Sequence, residues 1–340
     1  MKLNLKQIKS ITQGATSVFE KDGYCEFHRY TKEQELLYLD VNNTRPLALS
    51  CSKALAAAGI KLQFLSNTKN LSITAKFLNG ASRNFFSLDV CCNNEFVGAI
   101  SSHSEMPQNI YGEVQPTETQ KSFTFDGEEN EISIYFPFTA ITFIKEIVID
   151  DDAYIKPVKP NKILLAFGDS ITQGYDCFRS FNSYVHKVAK AFGYEVYNKA
   201  VGGERFFPKL AELKDDFTPD LITVAYGTND WNADITRETF TNNCYEFIKN
   251  LKTNYPNTKI VVISPIWRKD FEQDKKAGSF LGLYDLIKEQ TLKFDNVYSI
   301  NGFDFVPKDS SFFSDERLHP NELGFLHYAN NLIKELKKII

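Results

Sequence analysis

Four short stretches in the second half of the chain carry residue types that could perform acyl transfer. They are Gly168-Asp-Ser-Ile-Thr-Gln-Gly174, Asn198-Lys-Ala-Val-Gly-Gly203, Gly227-Thr-Asn-Asp230 and Ser314-Asp-Glu-Arg-Leu-His-Pro-Asn321. Acyl transfer needs a nucleophile, a base to take its proton, and donors for the oxyanion that develops. Ser170 falls in a tight turn after an apolar run, where its hydroxyl would be displayed; a serine that merely caps the following helix is the plainer alternative. His319 is the candidate base by elimination among five histidines. His28 and His103 belong to the first half, His186 and His327 fall inside helical patterns, and only His319 precedes a helix-starting Pro-Asn. Its neutral imidazole could accept the Ser170 proton and later return it to a leaving alcohol. Activity should therefore fall as His319 becomes protonated.

These residues need elements to hold them, and the two halves of the chain have different periodicities. The first 150 residues alternate with period two: in Asn70 to Phe77, Leu71, Ile73, Ala75 and Phe77 face one way while Ser72, Thr74 and Lys76 face the other. Lys61 to Phe64, Phe123 to Phe125 and Ile132 to Ile134 repeat the pattern between polar turns, and Ser52 to Gly59 could form a turn or two of helix. Short alternating strands predict an all-β antiparallel sandwich. The segment Lys156 to Asn161, with two prolines and two lysines, reads as an exposed linker. We therefore expect domains at 1–155 and 156–340. Beyond the linker, continuous apolar runs (Ile163–Phe167, Leu221–Tyr226, Ile260–Ile263) alternate with helical patterns at Tyr184–Phe192, Thr239–Leu251, Leu283–Leu292 and Asn321–Leu336. Unbroken apolar strands between helices predict a parallel sheet covered on both faces, an α/β domain with its crevice at the carboxyl ends of the strands. The motifs sit at those ends. Ser170 lacks the second glycine of a G-x-S-x-G elbow, and no G-x-G-x-x-G follows the first strand, so neither an α/β-hydrolase nor a dinucleotide site is expected.

The four stretches, in this order, resemble the sequence blocks of the SGNH (GDSL) hydrolases, and they span roughly residues 162–325. The resemblance implies a three-layer α/β/α, flavodoxin-like catalytic domain, here preceded by a jelly-roll-like sandwich, as in certain two-domain carbohydrate esterases. It implies an oxyanion hole built from the backbone N–H groups of Ser170 and Gly203 and the side-chain amide of Asn229, Gly203 being the glycine placed as in the family's second block. A glycine there allows a close backbone approach. Losing one such donor typically costs about 10²–10³ in kcat. The family's last block is usually Asp-x-x-His. Here Glu316 stands three residues before His319 and Asp315 four before. Strict spacing favours Glu316; residue type and the preceding Ser314 favour Asp315, and we lean to Asp315 as the carboxylate that orients the imidazole.

Trp231 and Trp267 follow strand ends, with Arg205 and Arg268 nearby. Their aromatic faces could stack on a sugar ring or pack an acyl chain, or could simply pack beneath the crevice. The 340 residues carry 39 Lys+Arg against 43 Asp+Glu, a net charge of −4, and no basic block, which excludes an electrostatic footprint for nucleic acid. No apolar run approaches the roughly 18 residues of a membrane span. With six sparse cysteines lacking CxxC spacing and no signal-peptide pattern at the N-terminus, we expect reduced thiols, a cytoplasmic protein, and no metal or organic cofactor. The four stretches predict a serine esterase, and the resemblance to two-domain carbohydrate esterases implies that it cleaves a short acyl group, acetyl foremost, from a carbohydrate or similar polar alcohol. The alternatives are an acyltransferase sharing the same acyl-enzyme, and a carbohydrate-binding protein with a degenerate catalytic domain.

Overall fold

A computed structural model describes residues 1–40, 50–83, 85–102 and 118–340. His103 and the side chain of Cys51 lie outside the described residues. The chain divides into two compact units, one of Met1–Asn161 with Arg179–Phe181, the other of Lys162–Phe178 with Asn182–Ile340.

The first unit contains two antiparallel sheets. Its strands are β1 (Thr12–Gln13), β2 (Ser17–Lys21), β3 (Tyr24–His28), β4 (Lys61–Ser66), β5 (Asn70–Asn79), β6 (Ser87–Cys92), β7 (Glu95–Ser101), β8 (Glu118–Thr124), β9 (Asn130–Tyr135), β10 (Ala140–Ile149) and β11 (Lys156–Pro157). One sheet runs β1-β4-β9-β6-β7, with β11 also on β4; the other runs β2-β3-β10-β5-β8. The period-two pattern does what it predicts. Leu71, Ile73, Ala75 and Phe77 of β5 are buried, and Leu62 and Phe64 of β4 stand opposite Ile134 and Ile132 of β9 in one shared core. Thr74, expected to face outward, is buried as well, its hydroxyl donating to Glu146.

Two features depart from the sequence expectation. Lys156 and Pro157, expected in an exposed linker, are exposed but also pair with Leu65 and Phe64 as β11. The unit is also not purely β: it carries helices α1 (Leu5–Ile11) and α2 (Lys32–Leu39), beside α3 (Ser50–Leu55), which overlaps the helical turn expected at Ser52 to Gly59. The first two start with reciprocal capping boxes, Asn4 with Gln7 and Thr31 with Gln34, which satisfy the helices' free N–H groups. The three residues from the later chain are tied to β6. Buried Asp89 accepts hydrogen bonds from Arg179 Nη1 (3.0 Å) and the Ser180 N–H (3.0 Å), and burial pushes its carboxyl up to about 6 despite these partners.

The second unit alternates strands and helices: β12 (Lys162–Gly168), α4 (Ser170–Gln173), α5 (Tyr184–Phe192), β13 (Tyr194–Asn198), α6 (Pro208–Glu212), β14 (Leu221–Ala225), α7 (Thr228–Asn232), α8 (Arg237–Asn254), β15 (Lys259–Ile263), α9 (Leu283–Thr291), β16 (Val297–Ile300) and α10 (Glu322–Leu336). The five strands are parallel in the order β13-β12-β14-β15-β16, the doubly wound order of a flavodoxin-like sheet. Consecutive residues Leu164 to Phe167 and Ile260 to Ile263 are all buried, because helices cover both faces. Helix α5 packs with α10, and α8 with α6 and α9. The first three motif stretches leave the sheet at the carboxyl ends of β12, β13 and β14, and the fourth lies in the loop before α10.

Candidate active site

The chain turns sharply where β12 ends. Gly168 is required there by space: a Cβ would lie 2.1 Å from Thr172 Oγ1 and 3.0 Å from the Ala225 carbonyl oxygen. Asp169 then caps α4 by accepting the Ile171 N–H, and Gly174, with φ of +110°, ends the helix after little more than a turn. Ser170, 5% exposed, opens this short helix.

The loop carrying His319 is closed by an antiparallel bridge between Phe313 and Pro320 and by the Ser314 N–H donating to the His319 carbonyl at 2.8 Å. Inside it, Asp315 Oδ1 accepts three backbone N–H groups, from Arg317 (3.0 Å), Leu318 (2.7 Å) and His319 (3.0 Å). Its other oxygen accepts the His319 Nδ1–H at 2.7 Å, since an ionised carboxylate can only accept. That fixes the tautomer, leaving Nε2 to accept from the Ser170 hydroxyl at 2.9 Å. Burial raises the Asp315 carboxyl, but the hydrogen bonds and charge of His319 and the backbone donors outweigh it and hold it well below the usual carboxylate range.

Of the two candidate acids, Asp315 is the one brought to His319. Glu316, which has the family spacing, is exposed in a left-handed conformation (φ +54°), and no contact joins its carboxylate to His319. The left-handed residue is the extra step in the loop that lets Asp315 reach back. A second carboxylate was missed by sequence reasoning: Asp176 Oδ2 lies 3.6 Å from the same His319 Nδ1. Its one local signal is its place just past the first motif, at a turn where it adopts φ of +67°. The Tyr175 ring stands 5.9 Å from the imidazole. Asp176, Asp315 and His319 could between them offer three ligand atoms to a cation, within 4.8 Å of one another. Nδ1 carries the proton given to Asp315, however, and a metal there would displace it.

The second and third motifs are laced to the Ser170 turn. Asn198 donates to the Thr172 carbonyl (2.8 Å) and accepts the Ala200 N–H (3.0 Å), Val201 N–H donates to the Gly168 carbonyl (3.1 Å), and Gln173 Oε1 accepts the Gly202 N–H (2.7 Å). Gln173 is another residue the sequence reading passed over. Gly203 has φ of +86°, a conformation that favours glycine. Asn229 stands on α7 and donates from Nδ2 to the Glu204 carbonyl at 3.0 Å, which draws it to the residue after Gly203.

Buried acids lie beneath these loops. Burial pushes the Asp169 carboxyl up to about 7, only partly offset by the Ile171 N–H and the charge of His319. Asp230 is likewise pushed up to about 7 by burial, against the opposing charge of Arg205 and the Phe206 N–H. Arg205 itself is half-buried, its N–H on Glu204 Oε1. The tryptophans take the packing alternative. Trp231 is 0% exposed, donates from Nε1 to the Gly278 carbonyl (3.1 Å), and is covered by Phe280 and Arg268. Trp267 is 7% exposed against Phe271 and Phe313. The stacking expectation is corrected for Trp231, whose ring points into the core and offers no face to a ligand.

Among the described residues no helix is long and apolar enough to cross a membrane. No curated protein matches the chain by sequence. Among solved structures, the chain is similar to the salicylyl-acyltransferase SsfX3 from a tetracycline biosynthetic pathway, at 17% identity over 96% of this chain and 94% of that one, with a TM-score of 0.75. It is similar to a family two carbohydrate esterase from Cellvibrio japonicus (19% identity, 98% and 96% covered, TM-score 0.63). A family two carbohydrate esterase from Clostridium thermocellum, in complex with cellohexaose, matches at 16% identity over 83% and 93%, with a TM-score of 0.64. At these identities the likeness is one of fold. The sequence of residues 166–325 also matches the model of the GDSL-like lipase/acylhydrolase family. The stretch of chain that brings Ser170, His319 and Asp315 into one hydrogen-bonded line is thus a GDSL-like lipase/acylhydrolase domain.

Proposed function

We propose that the protein is a serine esterase that removes a short acyl group, acetyl foremost, from a carbohydrate or similar polar alcohol. The observation that carries this reading is the line Ser170 Oγ–His319 Nε2–Asp315, with bonds of 2.9 and 2.7 Å. His319 takes the Ser170 proton as Oγ attacks the ester carbonyl, and Asp315 stabilises the imidazolium that forms. The N–H groups of Ser170 and Gly203 and the Asn229 amide receive the oxyanion. Collapse of the tetrahedral intermediate expels the alcohol, which takes the proton from His319 Nε2. Water then attacks the acyl-Ser170 ester, with His319 as base, and releases the acid.

The polar alcohol is favoured by the fold shared with proteins described as carbohydrate esterases. Transfer of the acyl group to a second alcohol would use the same intermediate, and the likeness to SsfX3 keeps that variant of the reading alongside. The test is turnover of p-nitrophenyl acetate by the purified protein beside Ser170→Ala and His319→Ala. Each variant is expected to lose roughly 10³-fold or more in kcat. Unchanged activity in either would sink the assignment. Product analysis with added sugar acceptors separates hydrolysis from transfer.

A further inference from the structure

Arg268, in the loop after β15, is 1% exposed, its guanidinium 5.0 Å from the Trp231 ring and 5.9 Å from that of Phe280. A buried guanidinium requires a counter-charge and partners for its donors. Nη1 donates to the carbonyl (3.3 Å) and hydroxyl (3.1 Å) of Thr228, and Nη2 to Asn232 Oδ1 (3.2 Å), so Arg268 grips both ends of α7, the helix bearing Asn229. Its remaining donors make a fork on Asp270, Nε to Oδ1 at 2.6 Å and Nη2 to Oδ2 at 3.0 Å. Asp270 Oδ2 also accepts from Nη2 of Arg317 at 2.7 Å, and the Lys269 N–H donates to the Arg317 carbonyl at 3.0 Å. Arg317 lies between Asp315 and His319, and its own N–H is one of the three on Asp315 Oδ1.

We propose that Asp270 is a positioning residue: held by Arg268 on one side and Arg317 on the other, it fixes the helix that presents the Asn229 amide against the loop that presents His319. This rests on the esterase reading of those two residues. The clasp joins two elements far apart in sequence whose side chains must meet one ester carbonyl, where a misplacement of about 1 Å can cost about 10² in rate. Burial raises the Asp270 carboxyl, but hydrogen bonds from both arginines and their charges override it, so the clasp stays ionised at working pH.

The exposed side of the clasp can be cut without disturbing the buried side. Arg317, with its side chain 50% exposed, touches Asp270 through one nitrogen. Arg317→Gln removes that charge and leaves the Arg268–Asp270 pair in place, while Arg317→Lys supplies a single charged donor able to restore it. Arg317→Gln is expected to lower kcat for p-nitrophenyl acetate about 10-fold with KM within about twofold and Tm unchanged, and Arg317→Lys to recover most of the loss. In proton NMR, the low-field signal of His319 Nδ1–H should broaden through faster solvent exchange in Arg317→Gln and sharpen again in Arg317→Lys. An unchanged kcat and signal in Arg317→Gln overturn the clasp, and so does a loss that Arg317→Lys does not relieve. Failure of the esterase reading looks different, as turnover absent from the native protein or insensitive to Ser170→Ala. The NMR comparison decides the clasp in either event.

Discussion

Asp315 holds His319 twice, by its ring through Oδ2 at 2.7 Å and by its backbone N–H through Oδ1 at 3.0 Å. One carboxylate therefore sets both the tautomer of the imidazole and the path of the chain that carries it. A ring held at both ends loses little entropy when it takes up the proton of Ser170, which is the physical sense of pre-organisation.

The double grip predicts a sharp contrast between neighbouring acids. Asp315→Asn should cost about 10²–10⁴ in kcat, because the amide can present an N–H to Nδ1 and favour the wrong tautomer. Glu316→Gln, exposed and away from the imidazole, should stay near the native rate. Comparing kcat of the two variants on one ester checks this; equal losses would reverse the assignment.

Gly202 should be intolerant of any side chain. A Cβ there would stand 2.7 Å from Cζ of Tyr175, whose ring neighbours the His319 imidazole. Gly202→Ala is expected to lower kcat by roughly 10–10² by pushing Tyr175 towards the base. Adding Tyr175→Leu should return part of that loss, and steady-state kinetics of the single and double variants read it directly.

Asp230 predicts a pH-dependent stability. In the unfolded chain its carboxyl titrates near the ordinary value of about 4; in the fold it is raised to about 7 by burial. Between those values the native state keeps a proton that the unfolded state has released, so stability from this group is complete below about pH 4 and lost as pH rises through about 7. Asp230→Asn stays neutral throughout. Thermal melts should show a higher Tm for the variant at pH 8, by about 2–4 °C for each kcal/mol relieved in a unit of this size, and no gain at pH 4. A gain equal at both would refute the titration.

What the sequence disclosed and what it hid divide along physical lines. Burial on one or both sides of a strand is written directly as alternation or an unbroken run, so β5 and β12 were readable to within a residue or two at each end. Three of the four motifs could be placed because each lies where a strand stops, at β12, β13 and β14, and the fourth because it runs into the start of α10. The capping boxes of α1 and α2, Asn4 with Gln7 and Thr31 with Gln34, are short local signals within a half whose dominant period is that of strands. Counting residues could not decide between Asp315 and Glu316, since a left-handed residue changes how far a loop travels per step. Trp231 misled because adjacency to a strand end does not say which way a side chain points. Asp176 and Asp270 were hidden for a simpler reason. Their partner, His319 in one case and Arg317 in the other, is remote along the chain, and only folding brings them together.

The placement of Arg179–Phe181 with the first unit bears on how such a chain can be divided or recombined. A fragment ending at Asn161 keeps the buried Asp89 but loses the guanidinium and the N–H that answer its charge. Swapping the later stretch for a related one without an arginine at this position would leave the same carboxylate without its counter-charge, held by Ser87 and a backbone N–H alone. The β-sandwich is therefore not a freely exchangeable module: its inheritance is tied to three residues encoded downstream, within the stretch that also supplies Ser170.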